Sequence, residues 1–465
     1  MDTATNTRPL LQQSETDSDF EDDLQVDRSL ENLDSEVVVV TKDTKPLFKS
    51  REPNDRFNAV YITFYLLGTT VLLPWFFFIT AEEYWMYKFR KLPGNLTSII
   101  GTEEKTDLQA SFNSYISIAS TVPSTIFLII YPMCSHKIPL NVRMVGSFAS
   151  LLVFFIVTTV FVEINTDQWQ DTFFLLTIVI VVLLNIASAI LQSALFGIVG
   201  RFPARYITAT VSGQALGGVL AALAEIVSLW VGASPVRSAL VYFVMADTFI
   251  LIAMFGYLFV SKTVFFKYYL MDSVDYGPVN EPPIVRQLNY GAIIKKIWVQ
   301  GMSVWFCFVV TLSLYPAITA LVTPEFEDCN SAWNQIYFVP VVAYLLLSVM
   351  DYLGRIFSGL LEWPKQGWLV SLLSFLRIIF FPLLLLCNAQ PRHHLPVLIH
   401  ADYWFILIVV VFGFTNGYMV NTTMISAPKL VEAYEQETAS SMMAAFLGVG
   451  LACGSFLSLF LVKLL

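Results

Sequence analysis

Eight side chains of this sequence lie where an apolar solvent would make them unfavourable. Asp351 and Arg355 stand four positions apart in Met350-Asp351-Tyr352-Leu353-Gly354-Arg355, and Arg377 falls near the middle of the next hydrophobic run. Gln192, Gln214 and Asn416 add uncharged amides to other runs, and Glu225 and Asp247 add acids. A charge at mid-bilayer costs about 2.5–3.5 kcal/mol on insertion scales, so each charge needs a partner or a water-lined cavity. The i,i+4 spacing puts Asp351 and Arg355 on one helical face in the favourable order, acid before base. Two readings stand for them: a self-neutralising pair, or a pair that also hydrogen-bonds a polar solute. Arg377 has no carboxylate at helical spacing and is expected to meet Asp351 or solute in a cavity. Each amide offers donor and acceptor either to a solute or to a neighbouring helix. Glu225 and Asp247 are candidate proton-titrating groups or acids near a cleft or helix end. Pro74-Trp75, beyond Gly68, marks a site where a helix can bend and turn a large ring inward; an interfacial anchor is the alternative for Trp75. None of this is catalytic machinery. No Ser-His pair, metal-ligand set or phosphate loop is present, and His393-His394 with His400 are a poor metal signal. No cofactor is expected.

The elements that must hold these residues are membrane helices. The chain is 56% hydrophobic and 14% charged, with mean hydropathy +0.65, whereas soluble domains carry nearer a quarter charged residues. Eleven apolar runs, at about 1.5 Å rise per residue, are long enough to cross a hydrocarbon core of about 30 Å. They are read at 57–80, 112–134, 143–162, 172–199, 206–232, 238–260, 299–323, 334–360, 366–388, 402–426 and 438–462. The first run follows more than fifty polar residues, so it is not a signal peptide core. Residues 1–56 hold 14 acids against 7 bases, so −7 of the net −9 lies in that tail and describes a solvated appendage. It gives no reason to expect a nucleic-acid partner. Cys134, Cys307, Cys387 and Cys453 sit in or at the ends of runs and only Cys329 in a loop, so there is no disulfide framework.

Alternate loops differ in basic residues. His136-Lys137 to Arg143, Arg201 and Arg205, Lys262 to Lys296, Lys365 and Lys429 form one set, which the positive-inside rule assigns to the cytoplasm. The other set includes Glu163, Asp167 and Asp171, then Glu325, Glu327 and Asp328, without a Lys or Arg among them. Lys88, Arg90, Lys91 and Lys105 in the first outer loop dissent, but the total favours a cytoplasmic N-terminus and an outer Leu465. Asn95-Leu96-Thr97 in that outer loop fits an N-glycosylation acceptor, whereas Asn421-Thr422-Thr423 lies within a span. The expectation is an all-α polytopic membrane protein of eleven transmembrane helices: an acidic tail (1–56), a six-helix bundle (57–260), a cytoplasmic linker (261–298) and a five-helix bundle (299–465). A long internal loop between two bundles supports a transporter of the major-facilitator type, a 6+5 arrangement that rocks around a midplane site.

Seven collinear motifs carry a closer resemblance. They are Leu73-Pro74-Trp75-Phe76 in the first span; Ala189-Ile190-Leu191-Gln192-Ser193-Ala194 in the fourth; Ser212-Gly213-Gln214 in the fifth; Asp351-Tyr352-Leu353-Gly354-Arg355 in the eighth, followed by Trp363-Pro364; Arg377 ahead of Phe381-Pro382; Phe414-Thr415-Asn416-Gly417-Tyr418 with Ala427-Pro428-Lys429; and Glu437-Thr438-Ala439. Over 57–465 the chain resembles the equilibrative nucleoside transporters, solute carrier family 29. The resemblance implies eleven helices, facilitated diffusion of purine and pyrimidine nucleosides such as adenosine and uridine, nucleobases included as candidate cargo, and alternating access. It places Trp75, Gln192, Asp351 and Arg355 at the central cavity, with Thr121, Ser124 and Leu451 also lining it and Arg377 near the ribose end. The chemistry agrees: amides suit the edges of a base, a carboxylate accepts ribose hydroxyls, and an indole face lies against a heterocycle.

The chain departs from the family at Phe76, where Asn is usual, at Ser188, often Gly in inhibitor-sensitive members, and at Glu225, where many members are apolar. Rival readings are an organic-cation or monoamine carrier of the same family, against which the uncharged Gln214 argues, a non-transporting receptor or scaffold, and a coupled carrier using Glu225 or Glu437. Arg8-Pro9-Leu10-Leu11 resembles dileucine sorting signals of endolysosomal members but has Asn6 where an acid is usual. Leu10 and Leu11, read by sorting adaptors, would direct the chain to late endosomes or lysosomes; the plasma membrane is the alternative.

Overall fold

The computed structural model describes residues 53–90, 107–232, 234–271, 288–325, 332–390, 392 and 394–465. Leu10, Leu11, Asn95, Cys329 and His393 lie outside the described residues. Inside a bilayer every backbone N–H and C=O must be satisfied within the protein, and apolar runs do so as helices. Among the described residues, eleven helices are long and apolar enough to cross a membrane. We label them α1 (Ala59–Thr80), α2 (Asp107–Cys134), α3 (Leu140–Glu163), α4 (Gln170–Val199), α5 (Ala204–Val231), α6 (Pro235–Val260), α7 (Tyr290–Leu314), α8 (Val339–Leu361), α9 (Gly367–Leu385), α10 (Asp402–Ser426) and α11 (Gln436–Leu464). Six precede the long internal loop and five follow it.

The largest boundary difference is at α7, expected over 299–323 and found over Tyr290–Leu314. Its first turns carry Lys295 and Lys296, which hid them from hydropathy, and Asn289 caps them by accepting from the Ala292 N–H at 3.1 Å. The linker expected over 261–298 therefore includes the start of α7, and a short helix at Val264–Met271 besides. Two helices are irregular. α8 opens with a π-helical stretch, Val339–Leu346, and α9 passes through a 3-10 turn at Arg377–Ile379.

Glycine sets which helices lie closest. A Cβ on Gly68 of α1 would sit 2.0 Å from the Thr210 carbonyl oxygen, and one on Gly213 of α5 2.1 Å from that of Tyr65, so α1 and α5 pack backbone to backbone. In the second half, Gly354 of α8 faces the Phe414 carbonyl at 2.2 Å and Gly417 of α10 the Asp351 carbonyl at 1.8 Å. The second half has a further such pair, since a Cβ on Gly450 of α11 would stand 2.6 Å from the Trp305 carbonyl oxygen of α7.

Call the face bearing Arg201 and Lys429 the basic face, and that bearing Glu163 and Glu325 the acidic face. On α4, Leu191–Val199 is buried without interruption, and on α10, Asn416–Ile425 is likewise; both stretches end at the basic face. Thr438–Ala444 of α11 repeats the pattern. Toward the acidic face the same helices bury only one side. Uninterrupted burial at one end and one-sided burial at the other make the packing tightest at the basic face. At the acidic face, Lys88 ties the short helix Glu82–Lys88 to the end of α3, donating to the carbonyls of Phe161 and Ile164 at 3.2 and 2.6 Å. Burial pulls its pKa below the usual lysine range.

Candidate functional site

Toward the basic face, α1 and α8 meet through their tyrosines, Tyr65 Oη donating to Tyr352 Oη at 2.6 Å. One turn along α8, Arg355 donates from Nη1 to the Val211 carbonyl of α5 at 2.6 Å and pairs through Nη2 with Asp351 Oδ2 at 2.9 Å. Both charges are buried, Asp351 at 8% exposure and Arg355 at 6%. The i,i+4 pair read from the sequence is present, and it also bridges the halves. Arg355 Nε is buried without a hydrogen-bond partner. The pair therefore retains one donor beyond its own neutralisation.

Arg377 was expected to meet Asp351 or solute; the structure places a third residue between them. Arg377 Nη1 donates to Asn416 Oδ1 at 2.8 Å and to the Cys307 carbonyl at 3.2 Å, while Nη2 reaches Thr311 Oγ1 at 3.1 Å and the Phe412 carbonyl at 3.3 Å. Asn416 Nδ2 donates to Asp351 Oδ1 at 2.7 Å. Arg377 is 2% exposed and its guanidinium is oriented by neighbouring helices. The 3-10 turn at Arg377–Ile379 points it inward while Ile378 and Ile379 stay exposed. Asn416, one of the candidate solute amides, is thereby a helix-joining residue.

Gln192 differs. It is 7% exposed, yet its side chain has no hydrogen bond among the described residues. Gln214, on α5, is buried with Nε2 unpartnered. A buried amide without a partner costs about 1–3 kcal/mol, an arrangement that a bound polar solute relieves. Trp75 is half-buried and stacks on Phe78 at 5.9 Å between centroids. Its other neighbours line a small pocket of about 20 Å³ with Val71, Leu151, Asn185 and Ser188. Ser188 donates to the Val71 carbonyl at 3.1 Å, which ties the hydroxymethyl group to α1 beside this pocket. Phe76 lies within 3.6 Å of where a Gly218 Cβ would stand, and Ser348 of the other half comes within 3.4 Å of the same point. The Phe76 ring therefore sits where the halves approach.

The remaining candidates do less. Ser124 donates to the carbonyls of Ser120 and Thr121, at 2.7 and 3.1 Å, so its hydroxyl is engaged by its own helix. Thr121 and Leu451 are half-buried. Glu225 is half-buried and forms no ion pair among the described residues. Asp247 Oδ2 accepts from Thr159 at 2.8 Å and Oδ1 is buried unpartnered, between α3 and α6.

Sequence reading missed the closure at the basic face. Glu437 accepts from Arg143 of α3 at 3.0 Å and from Arg201, after α4, at 2.5 Å. Arg143 also donates to Tyr131 Oη at 2.5 Å. Ser441 donates to the Ser193 carbonyl at 3.0 Å and Asn421 to Thr208 Oγ1 at 3.2 Å, adding ties between the halves. An acid in the first turn of a helix that opens at the basic face was the available signal.

The family model described as nucleoside transporter matches residues 177–276 and 277–463. Equilibrative nucleoside transporter 1 of Rattus norvegicus is 34% identical over 455 residues, covering 89% of this chain and 98% of its own. Equilibrative nucleoside transporter 2 of Homo sapiens is 33% identical over 455 residues, covering 89% and 98%. Equilibrative nucleoside transporter 3 of Rattus norvegicus is 32% identical over 424 residues, covering 87% and 89%. Among solved structures, the human organic anion transporter MFSD10 is 12% identical with TM-score 0.49, covering 89% of this chain and 95% of that one. The major facilitator superfamily transporter FucP in its outward conformation is 10% identical with TM-score 0.49, covering 87% and 97%. On the family match and the identity held over nearly the whole length of its relatives, the chain belongs to the nucleoside transporter family.

Proposed function

We propose that this chain is an equilibrative nucleoside transporter that carries purine and pyrimidine nucleosides, adenosine and uridine among them, by alternating access. The observation that carries the mechanism is an asymmetry of packing: the halves are tied at the basic face through Glu437, Arg355 and Tyr65, while toward the acidic face helices such as α4 and α10 bury only one side. The positive-inside rule assigns the basic face to the cytoplasm, and with closure there we read the arrangement as outward-facing. Unpartnered amides at Gln192 and Gln214 supply donors and acceptors for a base, Trp75 supplies a ring face, and Asp351 with Arg355 supplies the ribose end. Gln214 stands in for an acid in the cation-carrying reading, and an uncharged amide gives a cation no counter-charge. The same set of residues binds and releases solute without covalent chemistry, so we read the chain as a carrier and not a catalyst.

Uptake of radiolabelled uridine, adenosine and serotonin into proteoliposomes, with and without a pH gradient, tests the reading. Nucleoside uptake that equilibrates without a gradient supports it. Serotonin uptake in preference to both nucleosides, or uptake only with a gradient, would overturn the equilibrative nucleoside reading. We place the protein in late endosomal or lysosomal membranes through Leu10 and Leu11, and microscopy of the Leu10→Ala, Leu11→Ala variant decides this against the plasma membrane: an unchanged distribution removes the dileucine from sorting. Glycosylation at Asn95 is checked by a mobility shift on glycosidase treatment, lost in Asn95→Gln.

A further inference from the structure

A cavity of about 700 Å³ opens in the outer wall of the second half, between α9 and α10. Its walls include Tyr403, Trp404, Leu407 and Val411 of α10, and Glu325 and His400 stand at its mouth. Tyr403, Trp404, Leu407 and Val411 are 65%, 50%, 49% and 44% exposed, so this wall faces the bilayer and not the protein core. The cavity exists because of how α9 is built. Its 3-10 turn directs Arg377 into the bundle, the helix stops at Leu385, and α10 begins only at Asp402.

Depth defines what fits. From Asp402 at the acidic face to Val411 is nine residues, and at about 1.5 Å each this is about 14 Å, close to half of a 30 Å hydrocarbon core. The cavity is therefore one leaflet deep, apolar along its length and polar only at the top. An amphiphile seated in a single leaflet has that shape, and the volume falls in the range of about 300–1,000 Å³ usual for ligand sites.

Charge at the mouth selects among lipids. The Glu325 carboxylate has no hydrogen bond or ion pair among the described residues, and its backbone N–H donates to Asp402 Oδ1 at 2.9 Å, which brings a second carboxylate to the rim. Beside them the rings of Tyr403 and Trp404 lie 5.3 Å apart at 41°. Carboxylates next to exposed aromatic faces suit a quaternary ammonium, which is attracted by both, and they repel an anionic headgroup. We propose that this cavity binds a phosphocholine lipid, with the choline against Glu325 and the aromatic rings and an acyl chain running down to Val411. Sterols, which carry no cation, and anionic phospholipids are poor occupants.

The test uses the purified full-length chain in detergent, with a phosphatidylcholine bearing a photoreactive acyl chain, and maps labelled peptides by mass spectrometry. Labelling should concentrate in 398–411 and 379–383 and be competed by unlabelled phosphatidylcholine but not by phosphatidylglycerol or cholesterol. Glu325→Gln should weaken competition by about fivefold, the scale of a charge or cation–π contact at a half-exposed site. Leu407→Trp should reduce the labelling by narrowing the cavity where the acyl chain runs; Glu325→Gln, at an exposed position, carries the test if that variant is unstable. Labelling spread evenly over the lipid-facing helices, equal competition by phosphatidylglycerol or cholesterol, or no effect of Glu325→Gln would each overturn the proposal.

Discussion

Asn416 holds Asp351 with its amide nitrogen, at 2.7 Å, while its amide oxygen accepts from Arg377 at 2.8 Å. Charge fixes this orientation: a flipped amide would set NH2 against a guanidinium and oxygen against a carboxylate. Thr311 also donates to the same oxygen at 2.8 Å. The Asp351–Arg355 pair on α8 and the buried Arg377 on α9 are thus bridged through one neutral residue of α10.

Asn416→Leu should therefore be severe although it removes no charge. Asp351 loses a donor and Arg377 an acceptor, each buried, at about 1–3 kcal/mol apiece. We expect a fall in melting temperature in detergent together with loss of uptake. A variant that melts like the parent would mean that water or Thr311 takes over both roles.

Arg355→Ala should give less folded protein than the double change Asp351→Asn with Arg355→Gln. The single change strands the Asp351 carboxylate and frees the Val211 carbonyl, and breaking a buried pair on one side costs about 3–5 kcal/mol. The double change is neutral, and a glutamine retains a donor for Val211. Equal yields by fluorescence-detected size exclusion would count against a pair that matters to folding.

Gln192→Leu separates binding from folding. Because the Gln192 side chain has no protein partner among the described residues, its loss strands nothing, and the yield of folded protein should persist. Uptake should fall by about tenfold or more, since a base edge loses its amide. Unchanged nucleoside uptake would remove Gln192 from the site.

How much of this was legible in the sequence follows from what each signal depends on. All eleven spans were readable because apolar length is local, and the Asp351–Arg355 pair was readable because i,i+4 spacing is local too. Arg377, by contrast, finds its acceptors on α7 and α10, and nothing within helical reach of position 377 identifies Thr311 or Asn416. The start of α7 was misplaced because Lys295 and Lys296 lower hydropathy without interrupting a helix. For Glu437 the sequence showed an acid and two arginines in separate loops; only the fold brings 143, 201 and 437 together.

The glycines offer a paired control. In Gly417→Ala the new methyl would lie 1.8 Å from the Asp351 carbonyl oxygen, whereas in Gly218→Ala the nearest atoms stand at 3.4 Å and beyond. The first must push α10 from α8 and is expected to lose most folded protein, as overpacking against backbone costs about 1–3 kcal/mol or more. The second should be nearly neutral for stability. Similar melting curves for the two would show that the α8–α10 contact is looser than its geometry.

Glu437 tests the alternating-access reading most directly. Its carboxylate bridges Arg143 and Arg201 of the first half from the first turn of the last helix, and Ser440, buried one turn on, packs where a Gly200 Cβ would stand. Replacing Glu437 with Gln removes the shared counter-charge and leaves two arginines facing each other, so closure at the basic face should weaken. With Ser440→Cys as reporter in a cysteine-depleted background, labelling by a membrane-impermeant thiol reagent applied to the basic face should speed up about tenfold for each 1.4 kcal/mol lost from closure. Bound nucleoside should protect in proportion to how strongly it favours the closed basic face. The same substitution should leave the lipid cavity between α9 and α10 untouched, because no residue of that wall lies near position 437. A labelling rate identical to that of the Ser440→Cys parent would show that hydrogen bonds such as Arg355 to Val211, and not the ion pairs, keep the basic face shut.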